Sequence, residues 1–238
     1  MRWVVLVVAA VAAIIIGREV VGSPRSARET NQPAAPALPI RSVCTLADVP
    51  YPPRQIFIRA FKEERELELW GADKSGKMQL LRTYPIAAAS GGPGPKRREG
   101  DQQVPEGVYR VDQFNPHSRF HLSLRVNYPN KADRILGDRA NLGGDIYIHG
   151  NQVSIGCLAM TDPKIEEIYS LASTARPDIT VHIFPCRMEG GTYAQLKRRY
   201  PALAGFWKQL QPIYAAFEAK RVVPQVRIMR NGVYRLAG

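Results

Sequence analysis

The sequence IYIHGNQVSIGCLAMTD occupies positions 146–162 and carries three structural signals in a short space. Its first residues, up to His149, are β-rich and alternate, a pattern typical of a strand. At its end Asp162 is expected to cap a helix whose first residue is Pro163. Between them a loop of small and polar residues leads to Cys157. The stretch therefore predicts a strand, a tight loop that presents a cysteine, and a helix directly after it.

Cys157 is a candidate nucleophile because the thiolate is the reactive form of cysteine and His149 lies close enough in sequence to accept its proton. An ordinary thiol is only about 3% ionised at pH 7. A helix start near the cysteine favours the anion further. Gly156 permits the close approach of a substrate backbone. The amides of Gly156, Cys157 and Leu158 are candidate donors for an oxyanion hole.

The same residues fit two other interpretations. A lone cysteine in a β-rich domain is usually a small buried hydrophobe, and a histidine at the end of a strand is often structural. A metal site could instead use His121, His149 and Cys157 as ligands, but no short His/Cys repeat supports it. We therefore expect neither a metal nor a cofactor.

Outward from this stretch, the chain is built from short β-rich segments separated by glycine and proline turns. This pattern predicts a mainly β fold, either a sandwich or a barrel. Pro201 and Pro212 are expected to break a C-terminal helical region into pieces, and Asn231-Gly232 predicts the turn of a terminal hairpin. The predicted strands cover residues 55–61, 66–70, 78–86, 107–111, 120–126, 145–149 and 179–184.

The chain begins with an apolar segment, residues 3–16, that has no polar side chain. Its length fits the core of a signal peptide and is short for a membrane span. Two interpretations of this segment remain, a cleaved signal peptide and an uncleaved anchor. In the second case the inner membrane is a partner. In either case we expect export to the periplasm or cell envelope. The predicted divisions are a signal peptide or anchor (1–22), a proline-rich linker (23–45), a catalytic domain (46–190) and a helical and hairpin extension (191–238).

The chain is strongly basic, with 33 Lys and Arg against 21 Asp and Glu and a formal net charge of +12. Such a charge attracts polyanions, including nucleic acid, anionic lipid and acidic wall polymers. No zinc-finger spacing and no aromatic RNA-binding signature accompany the charge, so we expect no nucleic-acid partner.

The three cysteines are Cys44, Cys157 and Cys186. In an oxidising, exported setting two of them could pair. A disulfide between Cys44 and Cys186 would leave Cys157 as the reactive thiol.

The pair His149-Gly150, followed by Ser154-Ile-Gly-Cys157, resembles the active-site signature of the L,D-transpeptidase catalytic domain (YkuD-like) family, and most of all its YafK-like branch. Further matching stretches occur in the same order between about residues 50 and 188. They are residues 57–70, 90–96, 105–107, 120–124, 128–130 and 154–162.

The resemblance implies a β-sandwich or barrel-like catalytic domain whose substrate is peptidoglycan. It implies that Cys157 attacks the carbonyl of meso-diaminopimelate in a stem peptide and forms an acyl-enzyme, which an amine or water resolves. His149 would be the base, oriented by the backbone carbonyl of Gly150, and Ser154 and Gly156 would shape the loop. An Arg or Lys suits the free carboxylate of diaminopimelate. The candidate groove residues are His121, Tyr128, Asn130, Arg134 and Lys96.

Two positions depart from the family pattern. Many members carry an Arg or Asn two residues after the cysteine, where this chain has Ala159, and a His before the Gly-Cys pair, where it has Ile155. These departures match the YafK-like branch, for which the resemblance also implies a hydrolase that releases a covalently bound outer-membrane lipoprotein from peptidoglycan. Two further alternatives are a non-catalytic wall-binding module and a thiol protease that cuts ordinary L-peptides.

Overall fold

The structure is a computed structural model that describes residues 37–175 and 179–237. Its strands are β1 (Ile56–Phe61), β2 (Glu66–Ala72), β3 (Met78–Pro85), β4 (Gly107–Ser118), β5 (His121–Val126), β6 (Tyr147–His149), β7 (Leu158–Ala159), β8 (Ile179–Phe184), β9 (Val226–Ile228) and β10 (Tyr234–Leu236). Its helices are α1 (Ile40–Leu46), α2 (Lys131–Leu136), α3 (Asp162–Thr174), α4 (Gly190–Arg199) and α5 (Pro201–Lys220). The predicted signal peptide or anchor lies outside the described residues. No helix in the described part of the chain is both long and apolar enough to cross a membrane.

An eight-stranded sheet with the order β3-β2-β1-β8-β4-β5-β6-β7 forms the body of the fold. Its neighbours are antiparallel except for β1 with β8 and β6 with β7. The sheet curls because β4 is shared between its two halves. Residues 107–110 of β4 pair with β8 and residues 111–118 pair with β5, with a register shift after Val111. Such a bulge bends a strand and increases its twist. The predicted mainly β fold is confirmed, and each predicted strand is present.

Both faces of the central strands are buried. In β1 every residue is buried: Ile56 and Ile58 face the main core with α1 and α3, whereas Phe57 and Phe61 face aromatic clusters formed with α5. This two-sided burial explains why residues 55–61 read as a continuous apolar run rather than as an alternating strand. The sheet therefore carries helices on each side, and the C-terminal segment covers the second face.

The predicted break at Pro212 is wrong, because α5 continues through this proline to Lys220. Trp207, Leu210, Ile213 and Phe217 are fully buried along α5. Their burial stabilises the helix by several kcal/mol, which outweighs the roughly 3 kcal/mol that an internal proline costs. The terminal hairpin is confirmed, since β9 and β10 pair antiparallel around Asn231-Gly232.

The predicted linker ends earlier than residue 45. Residues Ile40–Leu46 form α1, and Ile40 and Cys44 are buried in the main core. Their spacing of four places both side chains on one helix face, a signal too short to stand out beside the preceding prolines.

Candidate active site

The parallel pairing of β6 with β7 places the two candidate catalytic side chains on one side of the sheet. Ile148 pairs with Leu158, and both are fully buried in the main core. Side chains alternate along a strand. His149 follows Ile148 and Cys157 precedes Leu158, so both project away from that core on the same face.

The thiol of Cys157 is half-buried and contacts main-chain atoms. Its Sγ accepts a hydrogen bond from the Tyr147 N–H at 3.4 Å and donates to the Asp145 carbonyl at 3.6 Å. Burial raises the pKa of Cys157; the Tyr147 N–H and the charge of Lys96 oppose this shift, and the charge of Asp145 adds to it. The resting sulfur is therefore a neutral thiol.

His149 is buried and held in one orientation. Its Nδ1 donates to the carbonyl of Gly150 at 2.6 Å, and the Phe120 ring packs against it with centroids 4.7 Å apart. This bond fixes the proton on Nδ1 and leaves Nε2 as the basic nitrogen. Burial lowers the pKa of His149, and the bond to Gly150 only partly offsets that effect. Among residues 37–175 and 179–237, no hydrogen bond joins His149 to Cys157.

Gly150 leaves no room for a side chain. A Cβ there would lie 2.6 Å from Asp162 Oδ1 and 2.7 Å from the carbonyl oxygen of Phe120. Asp162 is not the helix cap that the sequence predicts: Thr161 occupies the cap position of α3, and no side chain caps it. The Asp162 carboxylate instead accepts the N–H of Asn151 at 2.7 Å, which ties the loop after His149 to α3.

Two serine hydroxyls hold the loop around the cysteine. Ser154 Oγ accepts the Cys157 N–H at 3.0 Å and donates to the Cys157 carbonyl at 2.7 Å. Ser90 Oγ accepts the Gly156 N–H at 2.6 Å, where Gly156 has a positive φ of 84°. The predicted oxyanion donors Gly156 and Cys157 are therefore engaged in the resting structure. Ser90 was missed as a site residue, although it opens a glycine-rich stretch that resembles the family.

Three of the five candidate groove residues lie together. Tyr128, Asn130 and Arg134 line a cavity of about 810 Å³ that extends to Asp145. The Asn130 side chain is committed to the fold: its Oδ1 accepts two N–H groups of α2, and its Nδ2 donates to Tyr234 Oη at 2.8 Å.

The other two candidates lie elsewhere. Nε2 of His121 is 2.7 Å from Glu166 on α3. Lys96 is buried and donates to Asp101 at 2.8 Å, so it acts on Cys157 through its charge rather than by contact. The residues that the structure describes contain no cluster of three or more metal-ligating side chains.

The Cys44–Cys186 disulfide, which the sequence left as a hypothesis, is not formed in the structure. Both thiols are free and buried, and they lie in different hydrophobic clusters, Cys44 with α1 in the main core and Cys186 with α4 and α5. Each fills space as a small apolar side chain.

We expect alkylation of Cys157 by iodoacetamide to accelerate about tenfold per pH unit from pH 6 to pH 8. Burial raises the thiol pKa and lowers the imidazole pKa, so the thiolate fraction grows with pH and has no plateau near neutrality. Mass spectrometry of the labelled protein at each pH measures the rate, and Cys157→Ser supplies the background from Cys44 and Cys186. A rate independent of pH over this range would show a preformed thiolate–imidazolium pair instead.

Comparison with known proteins identifies the relatives of this chain. Residues 55–183 match the family model described as the L,D-transpeptidase catalytic domain (YkuD). YafK of Escherichia coli strain K12, which carries an L,D-transpeptidase name, is 41% identical over 186 residues, covering 75% of this chain and 72% of YafK.

Solved structures with related folds are more distant. The helical cell shape determining protein Pgp2 of Campylobacter jejuni is 15% identical with a TM-score of 0.47, covering 73% of this chain and 72% of Pgp2. L,D-transpeptidase 1 of Mycobacterium tuberculosis is 16% identical with a TM-score of 0.32, covering 54% of this chain and 61% of that one.

Proposed function

This chain belongs to the YkuD family of L,D-transpeptidase catalytic domains, and from that premise we propose that it is a periplasmic cysteine acyltransferase acting on peptidoglycan stem peptides at meso-diaminopimelate. One observation carries the proposal. The imidazole of His149, fixed through Nδ1 by the Gly150 carbonyl, projects on the same side of the sheet as the half-buried thiol of Cys157. Cys157 directly precedes β7 and Gly150 directly follows β6, so the proposed nucleophile, base and orienting group come from neighbouring ends of two paired strands.

The reaction begins with a proton transfer. Nε2 of His149 takes the thiol proton, and the Tyr147 N–H that faces Sγ stabilises the thiolate. The sulfur attacks the carbonyl carbon of diaminopimelate, the C–N bond to the next residue breaks, and the imidazolium gives its proton to the departing amine. An acceptor amine or water then attacks the thioester. Its proton passes to His149, and the thiol re-forms.

A second candidate differs only in the acceptor and the target: hydrolytic release of a lipoprotein bound covalently to the wall. Ala159 favours it. Where many members have a polar side chain two residues after the cysteine, this chain has a fully buried alanine paired with His149 and bridged to Ala88. The site therefore lacks the polar side chain that those members carry at this position, which is compatible with water as the acceptor.

Purified sacculi, with and without bound lipoprotein, provide the test. We expect the protein to produce either new cross-links that contain diaminopimelate or free lipoprotein, because both require the same acyl-enzyme. Mass spectrometry of the soluble and digested products distinguishes transfer from hydrolysis.

Cys157→Ser is the matched control and must yield neither product. Identical products from this variant would identify a non-catalytic wall-binding module with a contaminating activity. Turnover of ordinary L-peptides without turnover of sacculi would indicate a thiol protease.

A further inference from the structure

A groove beside α2, which we term the α2 groove, reaches Asp145, whose carbonyl contacts the thiol of Cys157. Its volume of about 810 Å³ is within the range of sites that enclose a ligand of several residues. It is lined by residues 108–110 of β4, by residues 127–131 with Arg134, and by residues 223–226 with Ile228. It is too large for a single amino-acid residue.

The α2 groove connects to the candidate nucleophile through Asp145. Gly144 and Asp145 line one end of the groove, and the Asp145 carbonyl accepts from Cys157 Sγ at 3.6 Å. Asp145 therefore contacts both the groove and the candidate nucleophile.

Four cationic side chains line the groove, and two of them are already engaged. Arg125 forms a salt bridge with Asp112 at 2.8 Å, and Lys131 donates to the Ile228 carbonyl at 3.1 Å. Arg110 and Arg134 are exposed. Within the described part of the chain, neither guanidinium forms a hydrogen bond or a salt bridge.

Two acids line the groove among the described residues. Asp112 forms the salt bridge with Arg125, and Asp145, at the Cys157 end, forms no salt bridge. The charge of Asp145 raises the pKa of Cys157, and the charge of Lys96 lowers it. A ligand with an ammonium group near the reacting carbonyl and carboxylates further away matches this arrangement of charge.

We propose that the α2 groove binds a carboxylate-bearing peptide segment next to the bond that Cys157 attacks, with Arg110 and Arg134 each holding a carboxylate and Asp145 facing an ammonium group. This proposal rests on the proposed function of the Cys157 site. Guanidinium groups bind carboxylates in a bidentate manner. Apolar side chains such as Val108 and Val226 also line the groove, which suits the discrete charges of a peptide rather than a continuous phosphate polymer. The carboxylates come either from the stem peptide or from a polypeptide attached to it.

The test compares Arg110→Ala, Arg134→Ala and the double variant on two substrates, each also prepared with its carboxylates amidated. One substrate is a free muropeptide, and the other is the same muropeptide joined to an acidic polypeptide. We expect KM to rise about tenfold for each single variant and about hundredfold for the double variant, with kcat unchanged. A loss on both substrates assigns the carboxylates to the stem peptide, and a loss on the conjugate alone assigns them to the attached chain. Amidated substrates should be insensitive to the variants.

Arg198→Ala, which removes one exposed positive charge from α4 outside the groove, controls for general attraction by the +12 chain. The proposal is overturned if the double variant keeps the wild-type KM on both substrates, or if Arg198→Ala raises KM equally. Calorimetric binding of the free-acid muropeptide to Cys157→Ser separates the two proposals. If binding requires both arginines but the wild type shows no turnover, the groove proposal stands and the acyltransferase proposal is refuted. If the wild type turns over and the double variant keeps the wild-type KM, the acyltransferase proposal stands and the groove proposal is refuted.

Discussion

Replacing Cys157 by serine is expected to lower kcat on wall peptides by on the order of 10⁴-fold or more. A hydroxyl at this position is a far weaker acid than a thiol, so His149, whose own pKa is lowered by burial, cannot generate the nucleophile. The thermal midpoint should not change, because a hydroxyl can make the same contacts with the Tyr147 N–H and the Asp145 carbonyl. Initial rates on a defined muropeptide, together with a melting curve, measure both effects.

His149→Ala and the double variant with Cys157→Ser extend this prediction. Two groups that act as a unit give non-additive losses, so the double variant should be no slower than the slower single variant. His117→Ala, which removes an exposed imidazole from β4, is the matched control and should keep wild-type activity. Losses that multiply in the double variant would show that His149 does not serve the thiol of Cys157.

Glu106→Leu is expected to destabilise the protein by about 3–5 kcal/mol, because it removes one partner of a buried ion pair. Glu106 is fully buried and lies 3.2 Å from Lys62 Nζ, whose side chain is 7% exposed. Glu106 also accepts the Gly94 N–H at 2.7 Å and Trp207 Nε1–H at 2.8 Å. The substitution leaves the ammonium of Lys62 without its counter-charge. Chemical denaturation monitored by tryptophan fluorescence measures the loss.

The pH dependence of this variant provides a second test. Burial lowers the pKa of Lys62, and the charge of Glu106 opposes that shift, so the pKa falls further when Glu106 is lost. Between that folded-state pKa and the unfolded value of 10.5, the unfolded chain binds more protons than the native one. The stability of Glu106→Leu should therefore rise with pH through this window.

Lys62→Met combined with Glu106→Leu removes both charges and should recover part of the lost stability. Recovery is incomplete because Gly94 N–H and Trp207 Nε1–H still lack their acceptor. Asp48→Asn removes a partner from the exposed pair with Lys74 and should have little effect. Equal losses from the buried and the exposed substitution would contradict this account of the pair.

Trp207 links this ion pair to the candidate active site. Lys62 Nζ donates to the carbonyls of Gly94 and Val104 at 2.7 and 2.8 Å, which holds both ends of the segment between them. That segment contains Gln103, whose carbonyl lies against Gly156. The helical segment predicted as an extension thus supports, through the Trp207 indole and the Glu106 carboxylate, the lysine that holds the segment packed on Gly156.

The sequence by itself determined the strands and the candidate catalytic pair. Strand periodicity, turn residues and the spacing from His149-Gly150 to Cys157 are local properties that the sequence carries by itself. The short strand β7 and its parallel pairing with β6 were not predicted and appear only in the structure. The Gly150 carbonyl as the group that orients His149 was expected from the resemblance to the family, and it lies 2.6 Å from His149 Nδ1.

Only the tertiary structure decided which distant groups complete the site. The acceptor for the Gly156 N–H is Ser90, 66 residues earlier, and the partner of Glu106 is Trp207, 101 residues later. Pro212 stays within α5 because burial against residues far along the chain outweighs the helix-breaking preference of proline. Cys44 and Cys186 stay unpaired because each packs into a different hydrophobic cluster. The α2 groove likewise joins residues 108–134 to residues 223–228, which the sequence leaves far apart and which the curl of the sheet and the packing of the C-terminal segment bring together.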